Sequence, residues 1–462
     1  MNDGELGARV LSALARERYA GLHLLDLPRE PDGFVSGTRF TPPVPLEQVL
    51  ALVRAAADPG DDVAAFEREC RETLALHAME LPEVRPGPTR HDALAARLGH
   101  PVHPLGRCKL GLSPAELRAY APEFQPSFEL CWTGVADPVT AGVLPGWWPS
   151  PGELGLRGAA VFPVHPLTVA RGLVTGPVAR HLGVAPTLSM RTLAVTATEH
   201  VKVPMPTSTL GARNVRAIKP GTLQDGAKVQ RILARAAAET GAPVLLADEQ
   251  TYGHARDPYL GYLVRRMPAA GSVPVAALLA PGVLDELCDD VEAFFSGYLR
   301  VLFGWNAALF ERYGIALEAH QQNVAVTRRG ELVVKDNDGA LFDEIRHAGE
   351  EFDDPRLKGD REALARVFVT ITLHLCAGAL AFGLAERGLL PLRTGLALVR
   401  DRLDEAVTDP FLRARTLDAD RLPAKAMLTA GTLVPKRRTG AADINKHYGP
   451  DGPNYLREPT CC

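Results

Sequence analysis

YGIALEAHQQNVAVTRRGELVVKD, residues 313–336, is the stretch on which the reading of this chain turns. Two short β-branched runs flank a turn, and alternation in NVAVT and LVVKD predicts a hairpin. Gly330 in the second position of a two-residue loop pairs Arg328 with Glu331 and sets Asn323 opposite Asp336. An amide oxygen and a carboxylate facing each other suit a hard cation such as Mg²⁺ carrying nucleotide phosphates. A slip of one residue would send Asp336 to the other face, so the pairing depends on the turn. Glu318 and His320, just upstream, are candidate ligands or acid–base groups. A polar strand entry held by its own hydrogen bonds explains the same residues equally well.

Around this hairpin the chain reads as helical. Residues 283–313 form an amphipathic helix ending at Gly314, and helices run from the hairpin to about residue 410. The uncharged stretch Val367–Ala385 has transmembrane length. It contains Thr370, Thr372 and His374, which favours a buried core helix. Residues 1–90 are also helical, and residues 91–175 are rich in Pro and Gly. Strand patterns follow at LSMRTLAVT, VKVPMPTST, PVLLAD and YLGYLVRRM, with a helix at 225–240. Strands bracketed by helical blocks, without regular βαβ alternation, indicate an α+β fold.

The chain has 462 residues, 46% of them hydrophobic and 23% charged, with a net charge of −4. This is ordinary globular composition, enough for roughly three structural units. It excludes a disordered or fibrous chain, and there is no basic field for nucleic acid. The seven cysteines lack metal or disulfide spacing. The start lacks a signal-peptide pattern and Cys461-Cys462 reads as an untethered tail, so the expectation is a cytoplasmic protein with no membrane partner.

The obvious phosphate loop is a decoy. GTLQDGAK, 221–228, places Lys228 one position too late for a Walker A motif and lacks the following Ser or Thr. Side-chain cations must then neutralise any phosphates. Arg191, Lys202 and Arg213 are interleaved with Ser189, Thr192, Thr207 and Ser208. Read as strands, this puts Ser189 and Arg191 on one face and turns Lys202 away from buried Val201 and Val203. Cations and hydroxyls on one sheet suit an oxyanion clamp, as they would a solvated basic face. In GHPVHPLGRCKLG, 99–111, a Pro after each of His100 and His103 disfavours a helical metal site. A loop offering His103, Arg107 and Lys109 to an anion, or a purely structural loop, remains open.

Taken together, GHPVHP (99–104), YAPEF (120–124), FPVHP (162–166), S-x-RT (189–192), HVK (200–202), Arg213 and GIALEAHQQN with Asp336 resemble the NRPS-independent siderophore synthetases, the IucA/IucC family. The resemblance implies a cupped hand: a helical, shortened thumb at 1–150, fingers with an antiparallel sheet at 151–275, and a helix-rich palm at 276–462. It also implies an ATP- and Mg²⁺-dependent ligase that activates a carboxylate, citrate by default, as an acyl adenylate. An amine or alcohol then captures the adenylate. By motif position, Ser189, Arg191, Thr192, Lys202, Arg213, Gln322, Asn323 and Asp336 would hold ATP. Arg213, His320 and Lys202 would be catalytic. His103, Lys109, Arg191, Thr207, Ser208 and His320 would meet the substrate carboxylate, and Asn323, Asp336 and Glu318 would meet the metal. A homodimer is an expectation from the family alone.

This chain departs from the family pattern at several places. Arg107 and Lys109 are exchanged, Leu167-Thr168 replace Trp-Gln, Lys335 replaces an Arg, and Arg265-Arg266 replace Arg-Glu. Arg and Lys are unequal anion ligands, so these changes bear on the choice of carboxylate more than on ATP use. Two other readings stay open, a non-catalytic nucleotide- or carboxylate-binding paralogue and a phosphotransferase using the Asn/Asp pair.

Overall fold

A computed structural model describes residues 1–41, 43–440 and 446–457. The Cys461-Cys462 tail lies outside the described residues. The N-terminal helix Asp3–Arg16 starts at a capping box between Asn2 and Glu5. Its apolar stripe, Leu6, Val10 and Leu14, packs with helices Leu46–Ala56 and Val63–Ala78. Leu428, Leu433 and Val434 complete this core, so the C-terminal segment returns to the first helices. The Glu17 carboxylate accepts from the Leu428 and Thr429 amides and the Thr429 hydroxyl, which fastens that return.

The fold is α+β, as expected. Its main sheet has eight antiparallel strands in the spatial order 139–141, 248–257, 260–266, 199–202, 192–194, 178–186, 128–135 and 160–164. The sheet thus begins at Phe128, inside the segment read as thumb, because Pro and Gly around residue 145 hide the alternation. Trp132, Phe162, Val201, Tyr262 and Val264 fill its buried face. Residues 189–191 are not strand. Ser189, Met190 and Arg191 make a turn with Met190 in the left-handed region (φ 65°), so the shared strand face expected for Ser189 and Arg191 does not exist.

The helical half centres on Val291–Ala308, continued by a wider turn at Leu309–Tyr313 and ended by Gly314 at φ 64°. A Cβ at Gly314 would lie 2.8 Å from the Arg346 side chain, so a larger residue is disfavoured on both counts. The helix Arg361–Glu386 is apolar and long enough to cross a bilayer, yet 94% of its most apolar window is buried inside the fold. Its polar groups are satisfied there: His374 lies 2.9 Å from the Tyr455 hydroxyl and 3.0 Å from the Pro423 carbonyl.

The hairpin forms, with a register one residue from the expected one. Val324 pairs with Val334 and Val326 with Leu332. Thr327 and Glu331 close a three-residue loop, Arg328-Arg329-Gly330, with Gly330 at φ 80°. A type I turn followed by a left-handed glycine adds one residue to the loop, which the two-residue reading missed. Asn323 therefore faces Lys335, whose amide donates to the Asn323 carbonyl at 3.0 Å. Val244–Leu246 adds alongside the hairpin in parallel, and the chain then enters the eight-stranded sheet at Asp248. That junction joins the two halves at the site.

Candidate active site

Asp336 lies just past its strand in the left-handed region, φ 64°. This turn redirects its side chain, so the slipped register still delivers it to the sheet. Its amide and that of Asn337 donate to the Glu249 carboxylate at 2.9 and 3.0 Å. Its Oδ1 accepts from the Lys202 ammonium and from Arg265 at 3.1 Å. Arg265 in turn meets Glu249 at 2.5 Å. The Arg265 and Glu249 side chains are each only 3% exposed and that of Lys202 5%, so the cluster is largely withdrawn from water. Burial alone would raise the Asp336 pKa, but Lys202, Arg265 and Arg191 outweigh it and hold the carboxyl far below the usual range. The prediction that Lys202 points away from the Val201 face holds. What it meets there is a carboxylate from the hairpin.

A cavity of about 220 Å³ opens beside this cluster, and Ser189, Arg191, Arg216, His320, Gln322 and Asp336 are among its lining residues. Arg191 is anchored by its Nη1 on the Ala217 carbonyl at 2.7 Å. Arg216 binds the Thr209 hydroxyl through Nε at 2.6 Å. Burial, then neighbouring Arg191, lowers the Arg216 pKa to about 9, so it stays a cation at neutral pH. The Ser189 hydroxyl accepts from the Thr192 amide at 3.1 Å, which shapes the turn that presents Arg191.

His320 Nδ1 accepts the Gln322 amide at 3.3 Å. Its ring proton must then sit on Nε2, which makes the neutral ring a donor there. Burial pushes its pKa to about 4, so at neutral pH it is an uncharged donor rather than a base. The turn carrying it is locked to the buried helix: Gln321 donates to the Leu375 carbonyl at 2.7 Å and Cys376 to the Ala319 carbonyl at 3.2 Å.

Other expected residues are placed differently. The Arg213 guanidinium donates to the Ala430 carbonyl at 3.2 Å, and Arg216 stands in the cavity instead. Arg213 sits in a turn closed by the Asn214 amide on the Gly211 carbonyl at 3.1 Å, whereas the Arg216 backbone pairs with Met205 and Thr207 at 2.9 Å. No local spacing signals Arg216. His103 is buried behind the cavity with Nδ1 on the Leu105 amide, and His100 lines the cavity. Lys109 lines it too, but its ammonium is committed to Glu123 at 2.5 Å and to the Arg107 carbonyl. The Thr207 and Ser208 hydroxyls donate to the Leu110 and Ala212 carbonyls, and Thr192 is a buried strand residue. These three act through the backbone they hold.

Of the expected metal ligands, Asn323 is buried outside the cavity lining, because the real register turns it to Lys335. Glu318 and Asp336 both line the cavity, and Glu318 Oε1 is buried without a hydrogen bond among the described residues, its nearest cation the Lys446 ammonium at 3.9 Å. That acceptor suits a cation arriving on nucleotide phosphates. Among the described residues no preformed cluster of three or more His, Cys, Asp or Glu side chains has metal-binding geometry.

Comparison with known proteins supplies the context for this geometry. The IucA / IucC family model matches residues 92–143 and 156–280, the span of the sheet and the clamp residues. The model described as ferric iron reductase FhuF-like transporter matches residues 292–440. In this chain that region is the hairpin and the buried helix, and its one cysteine is Cys376. The fold is that of siderophore synthetases. The petrobactin biosynthesis protein AsbB from Bacillus anthracis str. Sterne superposes with a TM-score of 0.74 at 15% identity, over 98% of this chain and 95% of that one. ATP-bound aerobactin synthetase IucA from a hypervirulent Klebsiella pneumoniae gives 0.68 at 18% identity, over 99% and 100%. The family match and the shared fold both place this chain's likeness with the IucA / IucC family and the siderophore synthetases. Staphyloferrin A synthase of Staphylococcus aureus (strain NCTC 8325 / PS 47) is 26% identical over 282 residues, 49% of this chain. The chain spans about half the length of that curated relative, 48%.

Proposed function

We propose that this protein is an ATP-dependent ligase of siderophore-type biosynthesis, which activates a polycarboxylate as its acyl adenylate and couples it to an amine or alcohol. One observation carries the reading: Arg191, Arg216 and the His320 Nε2–H converge on one cavity beside the Lys202–Asp336–Arg265 cluster. The likeness in fold to a synthetase described as ATP-bound supports nucleotide use. A cytoplasmic location accords with such chemistry.

In this mechanism a substrate carboxylate oxygen attacks the α-phosphorus and pyrophosphate leaves. Negative charge builds on the phosphoryl oxygens, where Arg191 and Arg216 are already half-buried and oriented by their backbone and Thr209 contacts. The Nε2–H of His320 donates to the carboxylate being activated and holds its attacking face. Asp336, kept ionised, fixes Lys202 and leaves Arg191 free to face the ligand. Glu318 and Asp336 would hold Mg²⁺, which would supply charge neutralisation on the leaving phosphates. Citrate is the default carboxylate, since two further carboxylates would give the buried cations partners.

The test is carboxylate-dependent pyrophosphate release, with Arg216→Ala and Asp336→Ala as controls. Release by wild type and a loss of at least tenfold in both variants is the expected result. If no di- or tricarboxylate stimulates release, the ligase reading fails. AMP as the nucleotide product separates this reaction from phosphoryl transfer, which would give ADP.

A further inference from the structure

A second cavity, of about 480 Å³, adjoins the first. Gly99, His100, Pro101, Ala276 and Gln321 line both, and so form the neck between them. The outer walls come from the N-terminal helix, the turn at residues 32–36 and the end of the buried helix. Phe34 and Phe382, 4.9 Å apart between ring centroids, give it an apolar side.

Its charge is unbalanced. Arg9, Arg16, Arg39 and Arg387 line it against only Asp32 and Glu386. Arg39 is paired with Glu30 at 2.5 Å, and Arg387 donates to the Gly383 carbonyl at 3.3 Å. Arg16 is different. Its side chain is 12% exposed, and its Nε is buried without a hydrogen-bond partner among the described residues. The neighbouring Glu17 lies 3.6 Å away, but its oxygens already serve the amides of Leu428 and Thr429 and the Thr429 hydroxyl. A guanidinium held out of water with an unused donor is suited to a ligand carboxylate.

The neck has a defined polarity. His100 Nδ1 accepts the Val102 and His103 amides at 3.1 and 3.0 Å, so the neutral ring offers Nε2–H as a donor. A group arriving there meets a hydrogen-bond donor rather than a base.

Resting on the ligase reading above, we propose that this second cavity holds the nucleophile, and that the nucleophile is an amine or alcohol bearing a carboxylate, which Arg16 receives. Its body lies against Phe34 and Phe382, and its reactive nitrogen or oxygen enters the neck at His100 and Gln321. There the acyl C–N or C–O bond forms and the acyl C–O bond to the adenylate phosphorus group breaks. AMP leaves with the electron pair, and the nucleophile's proton passes to solvent.

The experiment compares amino acids with their decarboxylated amines (lysine with cadaverine, serine with ethanolamine, 2,3-diaminopropionate with ethylenediamine). Hydroxylamine, too small to need the second cavity, serves as the reference nucleophile. At least one amino acid is expected to be coupled a hundredfold better than its amine. Arg16→Gln should lower the ratio of amino-acid-dependent to hydroxylamine-dependent turnover at least tenfold through the KM of the amino acid, and the more exposed Arg387→Gln should lower it less. Equal use of amines, or a proportional loss with both nucleophiles, overturns the proposal. Calorimetric binding of the same pairs reads the cavity without turnover. A preference for the carboxylate that is lost in Arg16→Gln supports the assignment even if hydroxylamine-dependent turnover is absent, the result that would instead sink the ligase reading. Binding without such a preference, or none by any of the amino acids, overturns it.

Discussion

Replacing Asp336 with Asn tests the electrostatic centre most directly. The substitution keeps shape and one acceptor but removes the charge that faces Lys202 and Arg265. Lys202 would retain only Asp338, at 3.9 Å, whereas Arg265 keeps Glu249. Removing one partner of a buried pair costs about 3–5 kcal/mol, and the surviving Arg265–Glu249 contact puts the expected loss near the low end, about 3 kcal/mol. Lys202→Met should cost less, because Asp336 would still be held by Arg265. In the double variant the orphaned ammonium is gone, so the two losses should fall short of additive by at least about 1.5 kcal/mol. Urea denaturation of the four proteins at pH 7 measures this. The sign against pH follows from the depressed Asp336 value. Its stabilisation is complete above the unfolded carboxyl pKa near 3.9 and is lost as pH falls toward the folded value, at about 1.4 kcal/mol per unit. Asp336→Asn should therefore flatten the acid limb of stability below about pH 4. Losses that add within about 0.5 kcal/mol, together with an unchanged acid limb, would refute the cluster as described.

Three further expectations follow from the same structure. His103 and His165 are pushed by burial to about 3, and His320 and His374 to about 4. Each is neutral in the fold, so stability should decline as pH falls from about 6.5 toward 4, with proton uptake on unfolding visible as a falling melting temperature. Glu69, raised to about 7 by burial while accepting from Thr432, has the opposite sign. Its contribution is lost as pH rises toward 7, so Glu69→Gln should raise the melting temperature at pH 8 and change it little at pH 5. Arg213→Ala should lower thermal stability through the Ala430 contact while retaining more pyrophosphate release than Arg216→Ala, as paired melting and turnover assays would read.

The local chemistry was legible in the sequence because short-range periodicity and turn residues report it. The long helix ending at Gly314, the hairpin, the buried identity of the Val367–Ala385 segment and the outward aim of Lys202 all follow from spacing alone. The cluster of Ser189, Arg191, His320, Gln322 and Asp336 could be named from motif order. Three things required the tertiary structure. One extra loop residue shifted the hairpin register, and only the left-handed turn at Asp336, stabilised by Glu249 from a distant strand, returned its carboxylate to Lys202. That Arg216 and His100 line the cavity while Arg213 and His103 do not depended on which backbone each segment pairs with. The second cavity is built from residues 8–40 and 379–387, which no local pattern connects. Sequence spacing determines which side chains share a face. Which faces meet is decided by burial and by charges that must find partners once water is excluded.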